Sequence, residues 1–484
     1  MFVISNIFFR LMIKKRLLFT KLFLSIIIYI ILSIILAYNI NVHPVLSLII
    51  ISSSGIILII YIWRLIYGDY NEIFNFGSLL LIFNVVFKFF NIFVLIIIQN
   101  PFEIWPSGIT STYELSNSDK SLSVFIGELL SVFGTLIISL TWFILGGLKF
   151  SNYNDLQEVK KKNSHFIYLL LYFFSSFIYL INISQLYLFN YISSYIIIYA
   201  SIRLNKLSST NIKEHNLFRS FIMLLPFIII SIKSGMKEPI IVFLIPVLVD
   251  FFYRFKTFYG KFLLGFGSFI TFLIFTLVAD FIRLNYWGIK QNLSISKILQ
   301  ELSVTITLLD FEFVLALVSK ALLRISPLFY QGWTVSLKYI NEIHYNGLFT
   351  NTISMFVPRV LWPAKPLNNP EHEMTVLFYG DKIAESTNEA SGLFSELYIK
   401  EGFLGFLFLT ILLGIYLFII QKIAFSFKNK IIFNIFNFIL LFSTCRFHEL
   451  YFNAIFPGFF LYLIIIIILI TIINLISKII NNNP

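Results

Sequence analysis

Phe459-Phe460-Leu461-Tyr462-Leu463-Ile464-Ile465-Ile466-Ile467-Ile468-Leu469-Ile470-Thr471-Ile472-Ile473 contains no charged side chain. A hydrocarbon core about 30 Å thick takes roughly 20 apolar residues per helical crossing. Runs of the same kind recur along the chain, for example at Leu22–Ala37 and Phe262–Ala279. The 484 residues are 58% apolar and 18% aromatic, with 58 Phe, and only 12% are charged. Ordinary soluble domains carry about 25% charged residues, so too few charges are present to cover a water-facing surface. Disorder is excluded by the same arithmetic, because it requires low hydrophobicity. The fold class that follows is all-α, a polytopic membrane helix bundle.

The formal charge of +12 comes from Lys and Arg placed between apolar runs, not gathered in a patch. That distribution reads as membrane orientation and not as nucleic-acid binding. Cys445 is the only cysteine, which excludes an intrachain disulfide and any multi-cysteine metal site. Arg10, Lys14, Lys15, Arg16 and Lys21 precede the first apolar stretch, but Leu36-Ala37-Tyr38 offers no small-residue cleavage site. The stretch is therefore expected to remain as the first membrane helix.

Twelve crossings are expected, at about 22–40, 45–66, 74–98, 124–147, 165–183, 186–202, 218–234, 239–253, 262–281, 402–421, 431–445 and 452–476. The basic N-terminus sets residue 1 in the cytoplasm. Alternate connections are then basic, as the positive-inside rule requires. Lys149, Lys160, Lys161 and Lys162 lie in 148–164, and Arg203, Lys206, Lys213 and Arg219 in 203–219. Arg254, Lys256 and Lys261 follow in 254–261, and Lys422, Lys428 and Lys430 in 422–430. Both termini are thus expected in the cytoplasm. The chain divides into helices 1–9 over 1–281, one large extracytoplasmic loop over 282–401, and helices 10–12 over 402–484. That loop holds ten Lys and Arg against eleven Asp and Glu, and excursions of such length usually form lids or sites. Its apolar part at 302–323 contains Asp310 and Glu312, which reads as a helix lying on the surface or dipping into the bundle, since acidic groups are costly in mid-bilayer.

The loop also carries Phe356-Val357-Pro358-Arg359-Val360-Leu361-Trp362-Pro363-Ala364-Lys365-Pro366. Three prolines in nine residues forbid a regular helix and set a rigid extended path. Arg359 and Lys365, with Trp362 between them, suit a pyrophosphate beside a sugar, because Arg forks onto phosphate oxygens. Equally, Trp362 is an interfacial anchor and the cations meet lipid headgroups. Glu396, in Ser391-Gly392-Leu393-Phe394-Ser395-Glu396-Leu397-Tyr398, is either a general base with a burial-raised pKa or a helix-start acid favoured by the dipole. Arg446, His448 and Glu449 cluster at the mouth of the last hairpin, where they pair with one another or meet an anion. Lys233 and Lys237 flank the turn before Pro239, and Arg283 stands beside Tyr286 and Trp287. These too are phosphate ligands or interfacial anchors. No phosphate-cradling glycine loop or paired-histidine metal motif occurs, so no metal and no cofactor is expected.

In order, Tyr330-Gln331-Gly332, Pro358 to Pro366, Gly392 to Tyr398 and Gly402 with Gly405 resemble the Wzy-type O-antigen and oligosaccharide repeat-unit polymerases over about the last third of the chain. In such relatives an Arg tends to stand where this chain has Lys237, and another where it has Arg446. The resemblance implies a metal-independent glycosyltransferase in the inner (cytoplasmic) membrane of a bacterium, acting in polysaccharide biosynthesis for lipopolysaccharide or capsule. Its substrates would be oligosaccharides on polyprenyl pyrophosphate, such as undecaprenyl pyrophosphate, joined on the outer face of the bilayer. A chain-length regulator and a flippase are the partners it implies. Arg446, Arg359, Glu396, Glu449 and His448 are then candidate catalytic residues, and Arg283, Lys365, Trp362, Lys237 and Lys233 candidate substrate-binding residues. An O-antigen ligase-like glycosyltransferase and a transporter or flippase of lipid-linked glycans are the alternatives. A transporter needs charges along a path through the bundle, and the clearest mid-helix charges are Lys88 and Glu128.

Overall fold

A computed structural model of the chain describes residues 2–67, 75–98, 115–150, 161–181, 187–208, 260, 267, 327–339, 392–427, 430–443 and 452–482. Every regular element among the described residues is helical. In chain order these are α1 (Phe2–Asn39), α2 (Pro44–Tyr67), α3 (Phe76–Ile97), α4 (Asn117–Ile144), α5 (Lys161–Ile181), α6 (Tyr187–Ser208), α7 (Pro327–Ser336), α8 (Leu393–Ser426), α9 (Lys430–Ser443) and α10 (Phe452–Asn482). Six of the described helices are long and apolar enough to cross a membrane: α1 from Thr20, α2, α3, α4, α8 and the Ile455–Leu475 part of α10. The chain is therefore a multi-pass membrane protein. Leu404 at 80% and Ile57 at 69% exposed would be liabilities in water, whereas lipid tails solvate them. The expected crossings at 218–234, 239–253 and 262–281, and the surface helix at 302–323, lie outside the described residues apart from Gly267.

Local chemistry sets the helix ends. Pro44 opens α2, where its missing N–H costs nothing. Asn75 caps α3 by accepting from the Ser78 N–H at 2.8 Å. Ser116 and Asp119 form a reciprocal capping box at α4, so α4 begins seven residues before the apolar run at 124. Helix α8 is broken at Gly402, whose φ of 70° and ψ of −175° are non-helical. Nothing lies within 4 Å of a Cβ built there, so glycine is required by backbone conformation and not by space.

The described chain divides into two compact units. The first holds α1 to α4, α7, residues up to Ile419 of α8 and the start of α10. Within it α1 packs on α2, α2 on α3, α3 and α2 on α4, and α7 on α4 and α3. One end of this group closes around Trp142, with Phe76 against its ring at 5.9 Å. There the Tyr67 and Ser139 hydroxyls lie 3.1 Å apart, and Ser139 donates to the Gly77 carbonyl. The second unit holds α5, α6, α9 and the remainders of α8 and α10. In it α5 packs on α6, Tyr199 meets Tyr168 and Phe438 edge-on or tilted, and Gln421 donates to Asn437 at 2.8 Å.

Candidate functional site

Helix α4 carries glycines at 127 and 134, seven residues apart and so on one face. A Cβ on Gly127 would come within 3.0 Å of the Gln331 carbonyl carbon and Cβ. One on Gly134 would overlap the Phe394 ring. Gly332 in turn lies close enough to α4 that its own Cβ would meet the Val124 Cα at 2.9 Å. Small residues permit this close approach in membrane interiors, where packing and not hydrophobic exclusion joins helices. The Tyr330-Gln331-Gly332 and Gly392-to-Tyr398 segments, more than 50 residues apart, thus rest on the same helix face. Just past the end of α7, the exposed Lys338 ammonium sits 4.0 Å above the Tyr398 ring, a cation–π pair. Helix α7 is buried along its length, with Leu328, Phe329, Gln331, Thr334 and Val335 at 1% exposed or less. No strong apolar period marks this ten-residue helix in the sequence.

Glu396 stands in the first turn of α8 and is fully buried. Lys400, one turn on with a side chain 2% exposed, lies 3.1 Å from its Oε1. Oε2 accepts from the backbone N–H of Phe452 at 2.8 Å. Since Phe452 is the first residue of α10, its N–H has no partner within that helix, and the carboxylate serves as its cap. One side chain therefore ties the start of α8 to the start of α10, the geometry of a helix-start acid. Glu396→Ala is expected to lower stability by about 2–3 kcal/mol, the range for a charge-assisted hydrogen bond and the donor it leaves unmet. Glu396→Gln retains the acceptor for Phe452 and is expected to lose less stability than Glu396→Ala. Equal falls in the thermal unfolding midpoint of the two variants would take the capping role from the side chain.

The other face of α4 holds a second polar centre. Lys88 of α3 and Glu128 of α4 are 1% and 0% exposed and 2.7 Å apart. Lys88 is twelve residues into its helix and Glu128 eleven into its own, about 17 Å along each. Glu128 Oε1 accepts from Ser52 at 2.7 Å and Oε2 from Asn91 at 2.9 Å. Lys88 also reaches the Glu128 carbonyl at 3.3 Å. One turn further on, Asn84 donates to Ser131 and Thr135. Three helices are locked by these bonds. Asn84, Lys88 and Asn91 on α3, and Glu128, Ser131 and Thr135 on α4, follow the helical period. That stripe is the sequence signal of this contact, and it is visible only when polar residues are followed along apolar helices.

Among the ten candidate site residues, Glu396 is the one the structure describes. Arg446, Arg359, Glu449, His448, Arg283, Lys365, Trp362, Lys237 and Lys233 lie outside the described residues. No group of three or more His, Cys, Asp or Glu side chains among the described residues is placed to hold a metal ion. Comparison of the chain with protein-family models, with curated proteins and with solved structures finds no match in any of the three.

Proposed function

We propose that this chain is a polysaccharide polymerase of the bacterial cytoplasmic membrane, with twelve crossings, both termini in the cytoplasm and residues 282–401 on the outer face. In the proposed reaction a sugar hydroxyl of one polyprenyl-pyrophosphate-linked repeat unit attacks the anomeric carbon of a growing glycan on a second lipid carrier. The new glycosidic C–O bond forms as the bond to pyrophosphate breaks, and lipid pyrophosphate leaves with the electron pair. Arg359, Lys365, Arg283 and Arg446 supply fixed positive charge where negative charge develops, with Lys233 and Lys237 on the lipid-borne phosphates. Glu449 or His448 takes the hydroxyl proton, and Glu396 holds the helices that frame the site.

The observation that carries this reading is the junction on α4. Two of the segments on which the polymerase resemblance rests, around Gln331 and around Phe394, are seated on Gly127 and Gly134 of one helix face. This seat brings two segments distant in sequence to one place in the fold, as a shared site requires. The transporter alternative draws less support: Lys88 and Glu128 are spent on each other and on Ser52 and Asn91, not spread along a path.

The test is purified protein in liposomes supplied with lipid-linked repeat units. Longer lipid-linked chains and released polyprenyl pyrophosphate are expected. Transfer of finished glycan only to a different acceptor would favour a ligase, and movement across the bilayer without elongation a flippase. Arg446→Ala and Arg359→Ala are expected to abolish chain extension at unchanged protein level. Normal glycan ladders from both would remove the two arginines from the site.

A further inference from the structure

Gln331 is fully buried on α7, and both its amide nitrogen and its amide oxygen lack a hydrogen-bond partner among the described residues. Ser395 is fully buried in the first turn of α8, and its hydroxyl likewise has none. Buried polar side chains are satisfied in the large majority of cases, so each exception calls for a reason. Other buried side chains, such as Ser175 and Ser443, also carry a hydroxyl unbonded among the described residues, but Gln331 and Ser395 belong to the two segments that share one face of α4. Gln331 is seated opposite Gly127, and Phe394, the neighbour of Ser395, opposite Gly134. The two seats are about 10 Å apart at 1.5 Å per residue.

We infer that Gln331 and Ser395 form a subsite for the hydroxyl groups of an uncharged sugar, an inference that rests on the polymerase reading. An amide offers two donors and an acceptor, and a serine hydroxyl offers one donor and an acceptor. A sugar ring presents the complementary mixture, since every hydroxyl both donates and accepts. A phosphate fits poorly, because it presents acceptors only and the nearby charge is already balanced. Glu396, the residue after Ser395, is neutralised by Lys400. Tyr398, three residues on from Ser395 and so on the same side of α8, supplies an aromatic ring of the kind that commonly flanks such a ligand. Subsite and pyrophosphate cations would then divide the substrate between them, with Gln331 and Ser395 reading the glycan and the arginines holding the leaving group.

Gln331→Leu and Ser395→Ala separate this from a structural role. Both remove polar atoms that bond no described residue, so neither is expected to lower the unfolding midpoint of the detergent-purified protein, and Gln331→Leu is expected to raise it. In liposomes, with the lipid-linked repeat unit varied in concentration, each is expected to raise KM about tenfold, as loss of one neutral hydrogen bond to the substrate does. A KM left unchanged in both variants overturns the subsite while the polymerase reading stands. A KM that rises only together with a fall in the midpoint also overturns it, because the side chains would then be structural. Wild-type protein that elongates no chain overturns the polymerase reading, and the subsite with it.

Discussion

Lys88→Met is expected to destabilise the first unit by about 3 kcal/mol, and Glu128→Leu by a similar amount, whereas the double variant should cost less than either. Removing one member of a buried pair leaves a bare charge in the interior, at a cost of about 3–5 kcal/mol in soluble proteins. The lower end applies here, because a chain unfolded within lipid still finds polar partners. With Lys88 gone, Glu128 keeps only the bonds from Ser52 and Asn91 and must be protonated or stay charged without its counter-ion. With Glu128 gone, Lys88 is left with a backbone carbonyl that it reaches at 3.3 Å in the intact pair. Replacing both removes the charges together, leaving the Ser52 hydroxyl without the acceptor it has in the intact pair, at about 1 kcal/mol. Denaturant midpoints in detergent for the four proteins give the coupling energy directly. Single costs that simply add would mean that the two side chains act independently.

Gly134→Val carries the second large effect, about 3 kcal/mol, at the top of the usual range for overpacking. Even a methyl group at this position overlaps the Phe394 ring, which is itself fully buried and packed against Phe406 at 6.4 Å. Better helix propensity returns less than about 1 kcal/mol, so the clash dominates. Gly134→Ala combined with Phe394→Leu should recover most of the stability of the alanine variant, because the smaller side chain vacates the space that the methyl needs. If the double variant is no better than Gly134→Ala alone, Phe394 is not what the added methyl strikes. Under the proposed polymerase function, chain extension is expected to fall in Gly134→Val, since the displaced residue precedes Ser395 and Glu396.

Much of the architecture was legible from composition. Continuous apolar runs mark α1, α2 and α3 to within a few residues of the expected 22–40, 45–66 and 74–98, apart from the basic N-terminal turns of α1. Helix α4 starts earlier than its apolar core suggests because Ser116 and Asp119, both polar, cap it in front of the membrane segment. Helix α7 could not be read at all. Its burial comes from a glycine-lined seat on a helix about 200 residues away, and local periodicity holds no trace of that contact. The candidate site was half legible in the same sense. Glu396 stands out as a carboxylate above an entering helix, but its engagement by Lys400 and by the Phe452 N–H depends on where α10 begins in space. Lys88 and Glu128 were visible as isolated charges, and only the packing of α3 on α4 makes them partners.

The break at Gly402 has a geometric outcome for the mouth of the protein. An unbroken rod from Leu393 to Ser426 would measure about 51 Å at 1.5 Å per residue, well beyond a hydrocarbon slab of about 30 Å. Its leading end would then protrude by several turns into bulk water. The kink there lets the first nine residues leave the axis of the longer arm, and Phe394, Ser395 and Glu396 stay in the dry interior.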